Sequence, residues 1–185
     1  MVTEPLRLAG EATNGFKPLP TEMGVMSANV FLVPIDPENF DRTVRSAVDL
    51  TEYDDRPDDL ADLDEARLWA VDDDSGNGST FERMSEGDLL LFYHDGEYLA
   101  TGRVGTTFED EDRWVSSTFW TAFPTTRVYT VTDFAAVSAP KRAVNAIFDY
   151  SKSYTPGFMR VADSRVNADL SSIESAIDHY SKRNA

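Results

Sequence analysis

The pattern of hydrophobic and polar positions predicts a strand followed by a helix from residue 28 onward. Residues 28–35 are rich in β-branched and aromatic side chains and stop before Asp36 and Pro37, which is typical of a buried strand. Asp36 is a candidate N-cap with Pro37 at the first helical position, and apolar residues then recur every four positions, which predicts a helix to Leu50. Residues 1–27 show little periodicity and are predicted to form an extended N-terminal arm.

The clearest predicted feature is a β-hairpin in the middle of the chain. Two strand-like runs, residues 87–94 and 97–104, flank Asp95 and Gly96, a dipeptide that favours the tight turn of a two-residue hairpin. Further strands are predicted at residues 66–71, 127–131 and 154–161, and further helices at 141–150 and from a capping box at 171–174 through Tyr180. Because strands outnumber helices, we expect one α+β domain at residues 28–185, a strongly curved mixed sheet or barrel flanked by helices.

Charge and composition restrict where and with what the protein works. The formal net charge is −16, 21 of the 33 acidic residues are aspartate and 13 of the 17 basic residues are arginine, a usage that we associate with halophilic archaea that accumulate salt. An acidic protein of an ordinary cell is the alternative. The chain has no cysteine, no signal-peptide pattern and no apolar stretch long enough to cross a bilayer, so we expect a cytoplasmic protein without a membrane partner.

The charge is unevenly distributed along the chain. Residues 36–112 carry a net charge of −18, whereas residues 113–168 carry +4. A basic stretch in a strongly acidic protein predicts contact with a polyanion such as nucleic acid. The alternative is that these arginines pair internally and cover apolar surface with their stems.

The sequence contains no recognisable catalytic motif, and no cofactor or metal site is predicted. His94 and His179 stand apart from any partner pattern, and the acid-rich segments 51–65 and 72–78 are typical of solvated loops. The four consecutive acids at 109–112 keep open an alternative function as a small metal-dependent nuclease or hydrolase. A protein-interaction domain with purely structural aromatic residues is a further alternative.

An ordered set of motifs resembles a known family. It comprises Trp69-Ala-Val, Gly76-Asn77, Phe81, Gly87-Asp-Leu-Leu-Leu-Phe-Tyr with the second hairpin strand, Trp114, Trp120, Val128-Tyr-x-Val131 and Tyr154-x-Pro-Gly-Phe-Met-Arg-Val161. Across residues 28–166 the chain resembles the EVE branch of the PUA-like superfamily, which includes the YTH domains. Phe81 stands where this family commonly carries tryptophan.

The resemblance implies a binding module in which a methylated or hydroxymethylated base, flipped out of its strand, enters an aromatic cage. The implied base-binding residues are Trp69, Asn77, Phe81, Trp114 and Trp120, and the implied phosphate contacts are Lys152, Arg160 and Arg165. The implied partner is modified nucleic acid, DNA in preference to RNA, in a restriction system with a nuclease or ATPase effector. A PUA-like RNA-binding adaptor is the alternative. At molar salt, screening leaves stacking and shape to supply most of the affinity.

Overall fold

The structure, a computed structural model, describes residues 28–73 and 76–184, so the arm predicted at residues 1–27 lies outside it. The described residues form seven strands and five α-helices. The strands are β1 Val30–Pro34, β2 Val48–Asp49, β3 Glu65–Val71, β4 Leu89–His94, β5 Glu97–Glu109, β6 Arg127–Pro140 and β7 Met159–Arg160. The helices are α1 Pro37–Phe40, α2 Gly78–Phe81, α3 Trp114–Phe119, α4 Lys141–Ile147 and α5 Leu170–Asn184.

The seven strands form one mixed sheet in the order β2-β3-β6-β5-β4-β1-β7. The β1–β4 pair is parallel and the other pairs are antiparallel. The predicted hairpin is confirmed, with Asp95 and Gly96 at positive φ between β4 and β5. The α+β class with a curved mixed sheet flanked by helices is therefore the one observed.

Irregular pairing bends the two longest strands, β5 and β6. Their register shifts at three places, and such bulges bend a strand and increase its twist. Gly102 and Gly105 lie at these shifts, where the two backbones come close together. A Cβ atom on Gly102 would lie 2.6 Å from the Val131 Cγ1 atom, and one on Gly105 would overlap the Thr130 hydroxyl. The glycines therefore permit the close approach that the bent strands require.

Both faces of the central sheet are buried. On β1, Phe31 and Val33 face one core while Val30 and Leu32 face a second core. Helices α4 and α5 cover the second core with four side chains that are almost fully buried: Val144, Phe148, Ile173 and Ile177. Burial on both faces explains why the strand sequences are continuously apolar rather than alternating.

Asp88 ties the start of β4 to the segment before β1. Its carboxylate is 2% exposed and accepts hydrogen bonds from the Asn29 backbone N–H at 2.7 Å, the Asn29 amide at 3.0 Å and the Ser85 backbone N–H at 2.8 Å. Gly87 precedes it at φ +88°, a conformation that side chains rarely adopt. The Gly-Asp pair that opens the hairpin motif therefore has a structural role, which is to hold the start of β4 against the segment before β1.

The helix predicted to reach Leu50 is wrong in its second half. After α1 a single π-helical turn ends at Arg45, and Val48 then pairs with Ala66 as part of β2. The prediction failed because the apolar residues keep a spacing of four up to Val48, although Val48 belongs to a strand. Leu50 is nonetheless fully buried, so its apolar character was informative but its secondary structure was not.

The terminal helix begins before the predicted capping box. Helix α5 starts at Leu170, and the Asp169 carboxylate accepts hydrogen bonds from the Ser172 backbone N–H at 2.9 Å and hydroxyl at 2.8 Å. These bonds lower the pKa of Asp169. Glu174, the expected partner in the box, accepts instead from Arg103 at 2.5 Å.

Helix α3 was not predicted, and β5 and β6 extend beyond their predicted ends. No helix within the described ranges is long and apolar enough to cross a membrane.

We expect Asp88→Ala to lower the free energy of unfolding by about 1 to 3 kcal/mol, because it leaves two partly buried backbone N–H groups without their acceptor. Urea denaturation at fixed KCl concentration measures this change without altering the ionic strength. The exposed neighbour Glu86 provides the control, since Glu86→Ala should change stability by less than about 0.5 kcal/mol. Equal effects of both variants would show that Asp88 has no special structural role.

Candidate functional site

A cavity of about 270 Å3 opens between the ends of β1 and β3. These strands are separated in the sheet by β6, β5 and β4, so the curvature of the sheet is what brings them to one site. The cavity is lined mainly by apolar side chains together with two polar residues. The lining residues are Val33, Pro34, Trp69, Ala70, Val71, Asp72, Asn77, Phe123 and Phe158.

Three aromatic residues give the cavity its shape. The Trp69 side chain is 3% exposed and forms part of the core, whereas Phe123 and Phe158 are half-buried. The Trp69 and Phe123 ring centroids are 6.2 Å apart with 29° between the planes. Phe158 stacks on Phe31 at 6.1 Å and 13°. The cavity therefore has one deeply buried indole and two partly accessible phenyl rings, each held in place by a further aromatic contact.

The two polar lining residues come from the segment between β3 and α2. Asp72 is exposed and follows the end of β3, and Asn77 is half-buried and precedes α2. The Asn77 carbonyl oxygen accepts hydrogen bonds from the backbone N–H groups of Thr80 and Phe81 at 3.0 and 2.9 Å. The short helix α2 thus fixes the backbone at Asn77, one of the residues that the family resemblance implicates in base binding.

Trp120 and Phe81 are buried side chains of the same core as Trp69. Trp120 is 7% exposed and meets Trp69 edge-on with ring centroids 5.8 Å apart. Its Nε1 donates a 3.0 Å hydrogen bond to the Thr43 hydroxyl, which satisfies the indole donor internally. Phe81 is 8% exposed, and neither side chain lines the cavity. Of the two residues, Trp120 packs directly against Trp69 and helps to hold its ring in place.

Trp114 lies at a different surface, an acidic concavity of about 450 Å3. Its ring packs edge-on against Tyr53 and Phe119, with centroids 5.5 Å from each. Besides Trp114, Arg56 and Pro57, the concavity is lined by acids, namely Asp55, Asp58, Asp59, Glu109, Asp110, Glu111 and Asp112. The structure does not bring Trp114 together with Trp69.

The acids at 109–112 do not form a cluster of metal ligands. Asp110 is 4% exposed, and its carboxylate accepts a 2.7 Å hydrogen bond from the Val115 backbone N–H at the start of α3. In the part of the chain that the structure describes, no group of three or more His, Asp or Glu side chains is arranged to hold a metal ion. The residues on which the nuclease alternative depended therefore lack a geometry that supports it.

The three implied phosphate contacts differ in their availability. Arg160 donates to the Asn29 side chain at 2.6 Å and to Asp163 at 2.5 Å. Arg165 donates to the carbonyl oxygens of Phe148 and Asp149 and covers the Tyr150 ring at 4.5 Å. Lys152 is exposed. The two arginines are thus largely committed to contacts within the protein, as the internal-pairing alternative expected.

Sequence reasoning missed both phenylalanines that line the cavity, Phe123 and Phe158. Phe158 belongs to the Gly-Phe-Met-Arg run that carried the family resemblance, and its position two residues before Arg160 was a usable signal. Phe123 lies in a connection between α3 and β6 that has no regular periodicity. Its approach to Trp69 depends on tertiary structure alone.

Comparison with known proteins supports the fold. Neither a protein-family model nor a curated protein matches this sequence. The structure is similar to that of the N-terminal domain of McrB from Thermococcus gammatolerans, solved bound to m5C DNA, with a TM-score of 0.63 and 17% sequence identity. The similarity covers 80% of this chain and 98% of that one. The chain therefore shares with this domain its α+β fold, a curved mixed sheet flanked by helices.

The burial of Trp69 predicts that its replacement affects stability as well as any ligand. We expect Trp69→Ala to lower the free energy of unfolding by about 3 to 5 kcal/mol, because it removes ring contacts with Phe40, Trp120 and Phe123. Phe158→Ala should cost about 1 to 2 kcal/mol, because the ring is only half-buried. Urea denaturation at fixed KCl concentration tests the difference, and equal losses would contradict the placement of Phe158 at the cavity mouth.

Proposed function

We propose that this protein is a binding module for a modified nucleobase in DNA, which it receives, flipped out of the strand, in the cavity between β1 and β3. The observation that carries the proposal is the aromatic lining of that cavity by Trp69, Phe123 and Phe158. Aromatic rings that line a small cavity provide faces on which a single planar base can stack.

The size of the cavity suits one base better than a larger ligand. Sites for drug-sized ligands commonly occupy about 300 to 1,000 Å3, and this cavity of about 270 Å3 lies just below that range. Removing a base from its stack costs a few kcal/mol, and stacking on an aromatic side chain returns about 1 to 3 kcal/mol. Two or three aromatic walls with a few backbone contacts are therefore sufficient to hold a flipped base.

The polar residues give the cavity a means of reading a base edge. A carboxylate such as Asp72 accepts a hydrogen bond from an exocyclic amine, and an amide such as Asn77 both donates and accepts. Val33 and Val71 supply apolar surface suited to a methyl group. The lining combines the features needed to bind a methylated base that carries an amino group, and m5C, present in the DNA bound to the structurally similar McrB domain, has both features.

The acidic character of the protein is compatible with this binding because the acids are unevenly placed. The concavity beside Trp114 contains seven acidic side chains, whereas the cavity contains one, Asp72. At about 1 M salt the Debye length is about 3 Å, so repulsion from the distant acids is strongly screened. Stacking inside the cavity does not depend on long-range charge.

The likeness to the McrB domain favours DNA over RNA and suggests a role as the specificity module of a restriction system. In that setting a nuclease or ATPase effector would act on DNA that this module has located. The fold by itself does not distinguish a DNA-binding module from an RNA-binding adaptor, so the binding test includes RNA of the same sequences. Contacts from Lys152, Arg160 and Arg165 to the nucleic-acid backbone stay predictions.

The direct test is fluorescence anisotropy with labelled duplexes that carry cytosine, 5-methylcytosine, 5-hydroxymethylcytosine or N6-methyladenine at one position, together with matched RNA. We expect one modified DNA to bind more tightly than its unmodified counterpart. Phe123→Ala and Phe158→Ala should each weaken this binding by about 1 to 3 kcal/mol, or about 5- to 150-fold, because a stacking face is lost.

Phe134 is a suitable control for these variants. It is also half-buried on the same core, but it lies under the Arg67 guanidinium at 4.5 Å and does not line the cavity. Phe134→Ala should therefore leave the preference for modified DNA unchanged. Equal binding of all modified and unmodified duplexes by the unaltered protein would contradict the proposed function, and preferential RNA binding would favour the adaptor alternative.

A further inference from the structure

Two arginines share a single carboxylate beside the cavity. The nearest guanidinium nitrogens of Arg113 and Arg127 each lie 3.8 Å from a carboxylate oxygen of Asp73. Asp73 follows Asp72, a cavity residue, while Arg113 precedes α3 and Arg127 begins β6. Three segments that are distant in the sequence thus bring two positive charges and one negative charge together.

The arginine pair adjoins the cavity on two sides. A Cβ atom on Gly78 would lie 2.9 Å from Arg127 Nη2, so this guanidinium packs against the residue that follows Asn77. Arg113 lines a shallow groove of about 270 Å3 that shares Phe123 with the cavity. A strand whose base occupies the cavity would therefore have its backbone within reach of this pair.

The arginines keep hydrogen-bond donors available because Asp73 is already engaged. Its carboxylate accepts from the Thr126 backbone N–H at 3.1 Å and the Thr126 hydroxyl at 3.1 Å. The 3.8 Å arginine contacts are longer than hydrogen bonds. Within the described residues, the Arg113 side chain donates no hydrogen bond, and its exposed fraction is 54%. In the same described part of the chain, the Arg127 side chain donates one long hydrogen bond of 3.5 Å, to the Asp73 carbonyl oxygen.

This arrangement contrasts with that of Arg160, which donates two hydrogen bonds of 2.5 and 2.6 Å to neighbouring side chains. An arginine in such bonds must give them up to bind another anion. Arg113 and Arg127 instead are held near their positions by a carboxylate that does not saturate them. The two guanidinium groups outnumber the one carboxylate that they share, in a protein of net charge −16.

We propose that Arg113 and Arg127 form a phosphodiester-binding subsite for the strand that carries the flipped base. Guanidinium groups match the geometry of phosphate oxygens and bind them through paired N–H donors. Asp73 positions the two arginines, while Thr125 and Thr126 hold Asp73. This inference rests on the proposed function, since it assigns the backbone contacts of the same site.

The test compares Arg113→Gln and Arg127→Gln with the unaltered protein by anisotropy over a range of KCl concentrations in which circular dichroism is unchanged. Each substitution should weaken binding to modified and unmodified DNA alike, roughly 3- to 10-fold at the lowest salt. The slope of log affinity against log salt should fall in magnitude by about 0.7 to 0.9 for each lost phosphate contact. The ratio of affinities for modified and unmodified DNA should stay constant, because phosphate contacts carry no base information.

A second variant tests position rather than charge. Gly78→Ala displaces the Arg127 guanidinium without removing a charge, and it should weaken DNA binding with little change in stability because only the flexible end of a side chain must move. Arg45→Gln is the control matched to Arg113, since Arg45 is 53% exposed against 54% but pairs with Asp41 in the π-helical turn after α1, outside the cavity lining. Arg45→Gln should leave the salt dependence almost unaltered.

The outcomes separate this inference from the proposed function. If the unaltered protein prefers modified DNA but Arg113→Gln and Arg127→Gln behave like Arg45→Gln, the subsite is wrong and the proposed function stands. If the unaltered protein has no preference for any modified base, the proposed function fails. Loss of the preference, rather than of overall affinity, in the arginine variants would also overturn the subsite, because it would place these residues in base recognition.

Discussion

The bend in the two long central strands is the constraint on which the rest of the structure depends. Strands β5 and β6 keep their pairing through three shifts of register, and Gly102 and Gly105 permit the close approach there. The resulting curvature brings β1 and β3 to one cavity although three strands separate them in the sheet. The cavity therefore forms only because the sheet is bent, since neither β1 nor β3 alone encloses a concave surface.

The aromatic residues divide into three environments with different physical roles. Trp120 is a core residue whose indole donor is satisfied by Thr43, whereas Trp114 belongs to an acidic concavity that would repel nucleic acid. Trp69, with Phe123 and Phe158, lies where a planar ligand could stack. All three environments contain a tryptophan, so the difference between them lies in the surrounding charge and in which ring face is accessible to a ligand.

The arginines divide in the same way according to their partners. Arg160 and Arg165 donate hydrogen bonds to groups of the protein itself, and their contacts with nucleic acid stay predictions. Arg113 and Arg127 share a carboxylate that is already engaged and retain donors for an external anion. In a protein of net charge −16, the location and commitment of a few cations matter more than their number.

The sequence by itself determined the strands at 28–35 and 66–71 and the hairpin around Asp95 and Gly96, because runs of apolar residues and turn dipeptides are local signals. Trp69 and Asn77, which line the cavity, came from the family resemblance, and their part in base binding stays a prediction. The sequence did not determine where the first helix ends, since the spacing at Val48 fits a helix as well as a strand. Only the tertiary structure decided that Phe123 lines the cavity and that Trp114 does not. These placements depend on the bend of a sheet that joins residues far apart in the chain, and no local periodicity encodes that bend.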